Sequence, residues 1–264
     1  MAENPGEVIA VFGAGGAQHG GYRRRVELVM AGSGGFSRCG EQTDLGHAVS
    51  LLHSGTMRVA PPHVLVVRHG ITPWNAEGRW QGWEDVPLSE AGLAQAERAG
   101  LRLCAAKERF DRAVTSDLQR ARQTAEAMVA VLDPTLPISV DPRWRERNVG
   151  AWSGLLTAEI EAGWPGWLES WRRGELPSPP ESEPDLVLVT RTLAAIESIA
   201  ADPLRTIVVT HGGVIRTLER HFGVEPAPVT NVAGRWFGWD GACVVAGESV
   251  DLLAGDDRPV TVSL

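Results

Sequence analysis

Two short, almost wholly apolar runs, each followed by a histidine and a glycine, constrain this sequence most strongly. Residues 64–67 precede Arg68-His69-Gly70, and residues 206–209 precede Thr210-His211-Gly212. Apolar runs of this length are typical of strands that are buried on both faces of a parallel sheet. Because ligands of open α/β sheets bind at the carboxyl ends of strands, we expect both histidines to lie in one cleft.

The rest of the sequence after residue 57 alternates between helix and strand patterns. A helix is predicted over residues 89–107, with Ser89 as its N-cap and Leu93, Ala96, Leu101 and Leu103 as its apolar positions. Further predicted elements are a strand at 112–115, helices at 117–132, 185–201 and 214–222, and β-structure at 244–253. This alternation predicts an α/β fold, a three-layer α/β/α sandwich with a mostly parallel central sheet.

The first 57 residues differ from the remainder of the chain. Glycine-rich stretches at 13–21 and 32–35 alternate with short polar pieces and show no sustained period. We therefore expect residues 1–57 to form an extension that is disordered or loosely packed, and residues 58–264 to form the domain. A further hypothesis is that translation begins at Met57, just before the first clear strand pattern.

Charge and composition argue against several classes of partner. The 264 residues carry a net charge of −8 and the pI is near 5.4, whereas nucleic-acid binding requires a basic face. No run of about 18 apolar residues occurs, so no transmembrane helix is expected. The three cysteines are widely spaced and form no metal-ligand pattern. We expect a cytoplasmic protein that acts on a small molecule and has no cofactor, and the sequence leaves open whether it forms a homodimer.

Four blocks of residues carry the chemistry of this chain. They lie at 68–88 (RHGITPWN, RWQGW and DVPL), 116–125 (SDLQRARQTA), 145–154 (RERNVGAWSG) and 209–213 (VTHGG). In this order they resemble the signature of the histidine phosphatase superfamily, also called the phosphoglycerate mutase-like fold, over about residues 62–245. Within that superfamily the chain is most similar to broad-specificity bacterial phosphatases.

The chemistry of phosphoryl transfer suggests roles for the residues at the strand ends. The reaction needs positioning and charge stabilisation of the equatorial oxygens, and a neutral imidazole is a competent nucleophile. We expect His69 to become phosphorylated and His211 to donate a hydrogen bond to the phosphoryl group. Arg68 and Arg120 are expected to donate paired hydrogen bonds to its oxygens. The resemblance implies further phosphate-binding residues, namely Asn75, Arg79 and Gln81.

Glu146 matches the acid of the family. That acid donates a proton to the leaving group and then accepts one from water. In the alternative interpretation, Glu146 only pairs with its neighbours Arg143, Arg145 and Arg147. No His-x-His, Asp-x-Asp or HExxH spacing provides a metal site, so arginine and histidine must supply the positive charge. The predicted reaction is metal-independent hydrolysis of small phosphate monoesters through a phosphohistidine.

Tryptophans lie between the acid and the second histidine. Trp164, Trp167 and Trp171 are spaced three and four residues apart, which predicts one face of a helix. Such a stripe is most simply interpreted as core. The alternative is an apolar wall over the site, which would favour hydrophobic or aromatic phosphate esters.

One segment departs from the family pattern. Pro179-Pro180-Glu181-Ser182 stands where relatives usually have Gly-Gly-Glu-Ser. The difference puts in doubt the shape of this loop and any substrate contact from Glu181.

Two other functions compete with hydrolysis. A phosphoglycerate mutase would use the same histidine but would return the phosphoryl group to a bound acceptor. Family mutases that depend on bisphosphoglycerate carry a longer insert between the acid and the second histidine, and residues 150–154 are similar to those of phosphatases. The other alternative is a non-catalytic phosphate-binding module that keeps the fold, although the expected site residues are all present.

Overall fold

The computed structural model describes residues 63–225 and 228–254. The strands within these ranges are β1 (Val64–Arg68), β2 (Arg112–Thr115), β3 (Ile138–Val140), β4 (Thr206–Thr210), β5 (Ala233–Trp239) and β6 (Val244–Asp251). They form one six-stranded sheet in the order β3-β2-β4-β1-β5-β6. The expected extension at 1–57 and the hypothesised start at Met57 lie outside the described residues.

β1 and β4 are neighbours at the centre of the sheet. They pair in parallel, with Val64 opposite Thr206 and Arg68 opposite Thr210, and every residue of both strands is buried. β2 and β3 continue the parallel part, whereas β5 and β6 run antiparallel to their neighbours. The predicted buried strands and the predicted largely parallel sheet are therefore confirmed.

The helices in the described ranges are α1 (Pro73–Glu77), α2 (Glu90–Ala105), α3 (Gln119–Leu132), α4 (Thr157–Gly163), α5 (Trp167–Arg172), α6 (Asp185–Ala200) and α7 (Gly212–His221). Of these, α2, α3, α6 and α7 cover the two faces of the sheet. Val64 and Val66 pack with α6 and α7 on one face, whereas Leu65 and Val67 pack with α2 and α3 on the other. Successive strand side chains point to opposite faces, so β1 is enclosed on both sides and the three-layer fold class is confirmed. No helix in the described ranges has the length and apolar character needed to cross a membrane.

Helix α2 agrees with its prediction at its start and differs along its buried face. The Ser89 hydroxyl caps the helix by accepting a hydrogen bond from the Gly92 backbone N–H at 3.1 Å. Leu93 and Leu101, however, are 40% and 55% exposed. Small residues form most of the buried face, because the backbone of α3 approaches closely. A Cβ added at Gly100 would lie 2.6 Å from the carbonyl oxygen of Met128 in α3.

The three tryptophans predicted to share one helix are divided between two elements, since Trp164 caps the end of α4 whereas Trp167 and Trp171 both lie on α5. Trp164 follows α4, and Gly166, at a φ of 71°, precedes α5, which begins at Trp167. The rings still belong to one cluster around the buried Trp152, whose ring centroid lies 6.4 Å from that of Trp164 and 5.7 Å from that of Trp171. The partly buried rings therefore pack against a core cluster, as the core interpretation expects, and the prediction of one continuous helix is wrong because the chain turns at Gly166.

Candidate active site

The ends of β1 and β4 bring His69 and His211 together. Because Arg68 and Thr210 are partners in the parallel ladder, the residues that follow them leave the sheet side by side. The two ring centroids are 5.2 Å apart, with the ring planes at 60°. Both residues are buried, with exposed fractions of 3% and 0%. The imidazoles that the sequence assigned to one cleft thus lie next to each other.

Hydrogen bonds determine which ring nitrogen of His69 is available. Nδ1 lies 2.7 Å from the carbonyl oxygen of Gly70. Since a carbonyl oxygen can only accept, Nδ1 carries the proton and Nε2 keeps a free electron pair. The Asn231 side-chain amide donates to the His69 carbonyl at 3.0 Å, and the Gly70 backbone N–H donates to the Thr124 hydroxyl at 3.0 Å. These bonds fix the backbone around the ring.

Burial holds both imidazoles in the neutral form. Loss of solvent, followed by the positive charge of Arg120, lowers the pKa of His69 and that of His211 well below the usual value of 6.5. His211 Nε2 lies 2.9 Å from the Ser116 hydroxyl oxygen. His211 Nδ1 is buried and has no partner among the described residues. The pair therefore offers one unprotonated nitrogen on His69 and one unused ring nitrogen on His211.

Two buried guanidiniums accompany the histidines, and backbone carbonyls hold both of them. Arg68 donates to the Val229 carbonyl at 2.7 Å. Arg120 donates to the carbonyls of Gly82 and Glu84 at 2.8 and 2.6 Å. Burial lowers the pKa of each guanidinium to about 10, so both remain charged at neutral pH. Within the described ranges their Nε atoms are buried without a partner, so each arginine keeps a donor for an anion.

The Glu146 carboxylate lies against the first turn of α7. Its Oε2 accepts from the Gly213 backbone N–H at 3.1 Å, and its Oε1 accepts from the Arg147 backbone N–H at 2.8 Å. A Cβ added at Gly213 would overlap Oε1 and lie 3.0 Å from the carboxyl carbon, so only glycine leaves room there. The carboxylate also interacts electrostatically with Arg68 and Arg120. Glu146 is therefore part of the same cluster.

The arginines next to Glu146 in the sequence are paired elsewhere. The ion pairs join Arg143 to Asp141 at 2.7 Å, Arg145 to Asp117, and Arg147 to Asp185. In the parts of the chain that the structure describes, no ion pair joins Glu146 to any of these three arginines. The alternative interpretation, in which Glu146 only neutralises its neighbours, is therefore wrong.

Asn75 and Gln81, which the family resemblance implied, are both buried. Asn75 is 2% exposed and lies in the first turn of α1, where its Oδ1 is 3.4 Å from the Asn231 side-chain nitrogen. Asn231 also binds the His69 carbonyl, so Asn75 is linked to the histidine pair. Gln81 has a buried Oε1 with no partner among the described residues, which leaves an acceptor unused.

Arg79 has different surroundings from the other expected phosphate-binding residues. Its Nε donates to the Glu77 carboxylate at 2.7 Å, and a second nitrogen donates to the Gly154 carbonyl at 2.8 Å. The Glu159 carboxylate lies 3.6 Å from the same guanidinium. These contacts bind Arg79 to the start of the α4 region and do not connect it to the histidines.

Sequence reasoning missed several residues that hold the site. They are Ser116, Thr124, Arg191, Gly213 (as the residue that makes room for the acid) and Asn231. Ser116 and Thr124 lie inside the second sequence block, so a signal was present there. Asn231 lies in a segment without periodic pattern, and nothing in the sequence distinguishes Arg191 from a surface residue of its helix.

Around the loop at 179–182, which departs from the family pattern, the chain exposes Glu181 and buries Glu183. Glu181 is exposed and adopts a positive φ of 61°. Glu183 is 7% exposed and accepts two hydrogen bonds from Arg191, at 2.7 and 2.8 Å. The loop also contacts the third sequence block, since the Ala151 backbone N–H donates to the Pro180 carbonyl at 3.0 Å. The altered loop therefore buries a carboxylate two residues after Glu181.

Comparison with known sequences identifies relatives of this chain. Residues 64–243 match the family described as the histidine phosphatase superfamily (branch 1). A 2,3-bisphosphoglycerate-dependent phosphoglycerate mutase of Methylobacterium sp. (strain 4-46) is 36% identical over 161 residues, which cover 59% of this chain and 77% of that protein. Phosphoglycerate mutase-like protein 4 of Arabidopsis thaliana is 36% identical over 159 residues, covering 59% and 68%.

Solved structures with the same fold include both a phosphatase and a mutase. A mycobacterial glucosyl-3-phosphoglycerate phosphatase, solved in complex with VO3, has a TM-score of 0.62 and 28% identity over 70% of this chain and 95% of its own. A phosphoglycerate mutase from Thermus thermophilus has a TM-score of 0.54 and 31% identity over 69% and 96%. Since the family match spans most of the domain, the chain belongs to the histidine phosphatase superfamily.

Proposed function

We propose that this protein hydrolyses small phosphate monoesters, without a metal ion, through a phosphohistidine formed at His69. The arrangement of His69 carries the proposal. Its Nδ1 proton is bound by the Gly70 carbonyl, its Nε2 pair is free, and burial keeps the ring neutral. The neighbouring Arg68 and Arg120 each keep an unused donor, which suits a phosphoryl group with charge on several oxygens.

In the first step, Nε2 of His69 attacks phosphorus while the bond from phosphorus to the ester oxygen breaks. Arg68 and Arg120 donate hydrogen bonds to the equatorial oxygens and stabilise their charge. In this proposal the Ser116 hydroxyl, 2.9 Å from His211 Nε2, donates to that nitrogen, so that His211 carries its proton on the unpartnered Nδ1 and donates it in a further hydrogen bond. A protonated Glu146 gives its proton to the ester oxygen, which leaves as an alcohol.

In the second step, water attacks phosphorus and the phosphorus–nitrogen bond breaks. The Glu146 carboxylate accepts a proton from the water, and the electron pair of the broken bond returns to Nε2 of His69. Inorganic phosphate leaves, and Glu146 is again protonated. One carboxyl group thus serves as acid and then as base, and every proton is accounted for.

We propose a small soluble ester in the cytoplasm as the substrate. The net charge of −8 disfavours a long polyanion, whereas two buried guanidiniums form a local site for one anion. Mutase activity is the alternative, because relatives with this fold are named as mutases. The short segment from Glu146 to His211 favours access of water, and hence hydrolysis.

The first experiment tests the nucleophile. His69→Ala is expected to lower kcat/KM for phosphate monoesters by about 10⁴-fold or more, because the covalent route is lost. Assays with a chelator present should show full wild-type activity. His221→Ala is the matched control, because this exposed histidine lies at the far end of α7, where its ring meets Phe222 edge-on. Turnover that persists in His69→Ala would refute the proposal. So would turnover by the wild-type enzyme if no phosphoryl group from the substrate can be trapped on a histidine.

The same preparation separates hydrolysis from phosphoryl transfer. Incubation with 3-phosphoglycerate, with and without 2,3-bisphosphoglycerate, is followed by measurement of inorganic phosphate and of 2-phosphoglycerate. We expect phosphate to be released from simple esters at least as fast as 2-phosphoglycerate forms. Faster mutase turnover, with negligible phosphate release from every ester, would instead establish the alternative function. Absence of both activities would indicate a non-catalytic binding module.

A further inference from the structure

Arg191, on α6, is a largely buried arginine whose five N–H groups all have acceptors. Two bonds go to the Glu183 carboxylate, at 2.7 and 2.8 Å. The other three go to the backbone carbonyls of Arg143, Arg145 and Glu146, at 2.8, 2.6 and 2.9 Å. One guanidinium thus binds the chain at Glu146 and at two of the three residues before it.

The pair of Arg191 and Glu183 is better suited to fixing geometry than to adding stability. Their side chains are only 16% and 6% exposed, and the cost of removing two charges from water offsets much of their attraction. The planar guanidinium, however, directs each N–H bond along a fixed line. The segment that it binds runs from a short 3-10 turn at Pro142–Trp144 into irregular chain, where no helix or strand orients the carbonyls.

Two further contacts connect the backbone at Glu146 to the loop that holds the Arg120 guanidinium. The Glu146 carbonyl accepts a second hydrogen bond, from Trp83 Nε1 at 2.7 Å. Trp83 stands between Gly82 and Glu84, whose carbonyls hold the Arg120 guanidinium. A shift of the Glu146 backbone would therefore move the acid relative to the bound phosphoryl group.

We propose that Arg191, with Glu183, is the positioning residue of Glu146. It contacts no substrate, and it acts by holding the Glu146 backbone so that the carboxyl group can reach the leaving oxygen. This inference rests on the proposed function, because it assumes that Glu146 is the acid. Lysine cannot replace Arg191, since its three N–H groups cannot satisfy five acceptor positions.

Leaving groups of different acidity test the inference. Dinitrophenolate leaves without protonation, whereas the alkoxide of glycerol 2-phosphate needs a proton from the acid. Arg191→Met is expected to lower kcat/KM for glycerol 2-phosphate about 100-fold, since small misplacement of a catalytic group has effects of this size. For 2,4-dinitrophenyl phosphate we expect a loss of about threefold or less. The ratio kcat/KM reports the steps up to ester cleavage and is not affected by the shared second step.

A matched control separates positioning from general loss of structure. Arg235→Met removes another buried ion pair, with Glu219 at 2.9 Å, and a bond to the Gly247 carbonyl at 2.6 Å. Arg235 lies on β5 and makes none of its hydrogen bonds to the Glu146 segment. Its loss should change the rates with both esters by the same factor. Thermal melts of all variants show whether the fold is kept.

The outcomes distinguish this inference from the function on which it rests. Glu146→Gln gives the full selectivity expected for loss of the acid. If that variant is selective but Arg191→Met slows both esters equally, the positioning role is wrong and the proposed function stands. If Glu146→Gln is itself unselective, the acid role fails and the inference fails with it. If Arg191→Met does not fold, Arg191→Lys and Glu183→Gln must show the same selectivity, and equal loss with both esters would overturn the inference.

Discussion

At the scale of single residues, the position of the Glu146 carboxylate depends on the absence of a Cβ at Gly213. The Gly213 backbone N–H donates to Oε2 of Glu146, while a Cβ at the same residue would overlap Oε1. Gly213 lies in the first turn of α7 and has no positive φ. Glycine is thus required there by the close approach of the carboxylate and not by the backbone conformation.

Gly213→Ala is therefore expected to lower the activity without lowering the stability of the fold. The new methyl group displaces the carboxylate, and we expect kcat/KM for an unactivated alkyl phosphate to fall about 100-fold. The melting temperature should stay the same or rise, because alanine favours helix over glycine. Gly163→Ala, in α4, is the control, since a Cβ there has nothing within 4 Å. Wild-type activity in Gly213→Ala would show that the carboxylate does not need its observed place.

The residues of the site differ in how far the sequence predicted them. His69, Arg68 and His211 were predictable because each adjoins an apolar strand whose direction places it at one sheet edge. Asn231 and Arg191 were not, because their roles come from hydrogen bonds to backbone groups that are distant in the chain. Only the folded backbone determines which carbonyl a side chain can reach.

At the scale of elements, the region of α4 and α5 is held by a cluster of indole rings. Trp152 is fully buried, and its ring centroid lies 5.6 Å from that of Trp80, with near-perpendicular planes. Trp164 and Trp171 complete the contacts of this ring. Since α4 and α5 are only 7 and 6 residues long, packing, and not intrinsic helix stability, must keep them in place. That these rings also form an apolar wall over the site, favouring aromatic esters, stays a prediction.

Trp152→Ala should weaken the whole region. Removing a fully buried aromatic ring costs about 3–5 kcal/mol of unfolding free energy, because both transfer energy and cavity energy are lost. Urea unfolding followed by circular dichroism measures the change. Trp167→Ala is the comparison, since that ring is only partly buried, and we expect a smaller loss. Equal losses in the two variants would argue against Trp152 as the centre of the cluster.

The strands that the sequence failed to predict, β3 and β5, are those whose strand character comes from their neighbours. β3 has three residues, all exposed, so it lacks an apolar run, and it forms by pairing with β2. β5 contains Gly234, Arg235 and Gly238, which interrupt any alternation, yet it pairs with β1 along most of its length. By contrast, β1, β2 and β4 have apolar runs of their own and were predicted within one residue at each end.

At the scale of the whole molecule, the two buried histidines make stability depend on pH. Their pKa values are lowered in the folded state from the usual 6.5. The unfolded chain therefore binds protons that the folded chain does not, and stability falls as the pH drops below about 6.5. Each histidine contributes a slope of up to about 1.4 kcal/mol per pH unit until its folded pKa is reached.

Urea unfolding between about pH 8 and about pH 5 tests this dependence. We expect little change above about pH 7 and a steady loss of stability below about 6.5. The Arg145 guanidinium lowers the pKa of Asp117 below 3.8, so that carboxylate acts only at lower pH and does not obscure the window. His69→Asn should reduce the slope, and the double variant with His211→Asn should reduce it further. An unchanged slope in the double variant would mean that these imidazoles are not the groups that titrate.

The strand order also sets when a newly made chain can bring its two histidines together. Among the strands of the described residues β1 comes first, yet its two partners, β4 and β5, lie near the end of the described chain. During synthesis, β1 therefore leaves the ribosome with both edges unpaired and both apolar faces bare, a state that invites aggregation. Only when β4 has emerged can the second imidazole reach the first. A chain that ends before β4 thus lacks the histidine pair, and the interval before β4 appears is the one in which β1 is most open to aggregation.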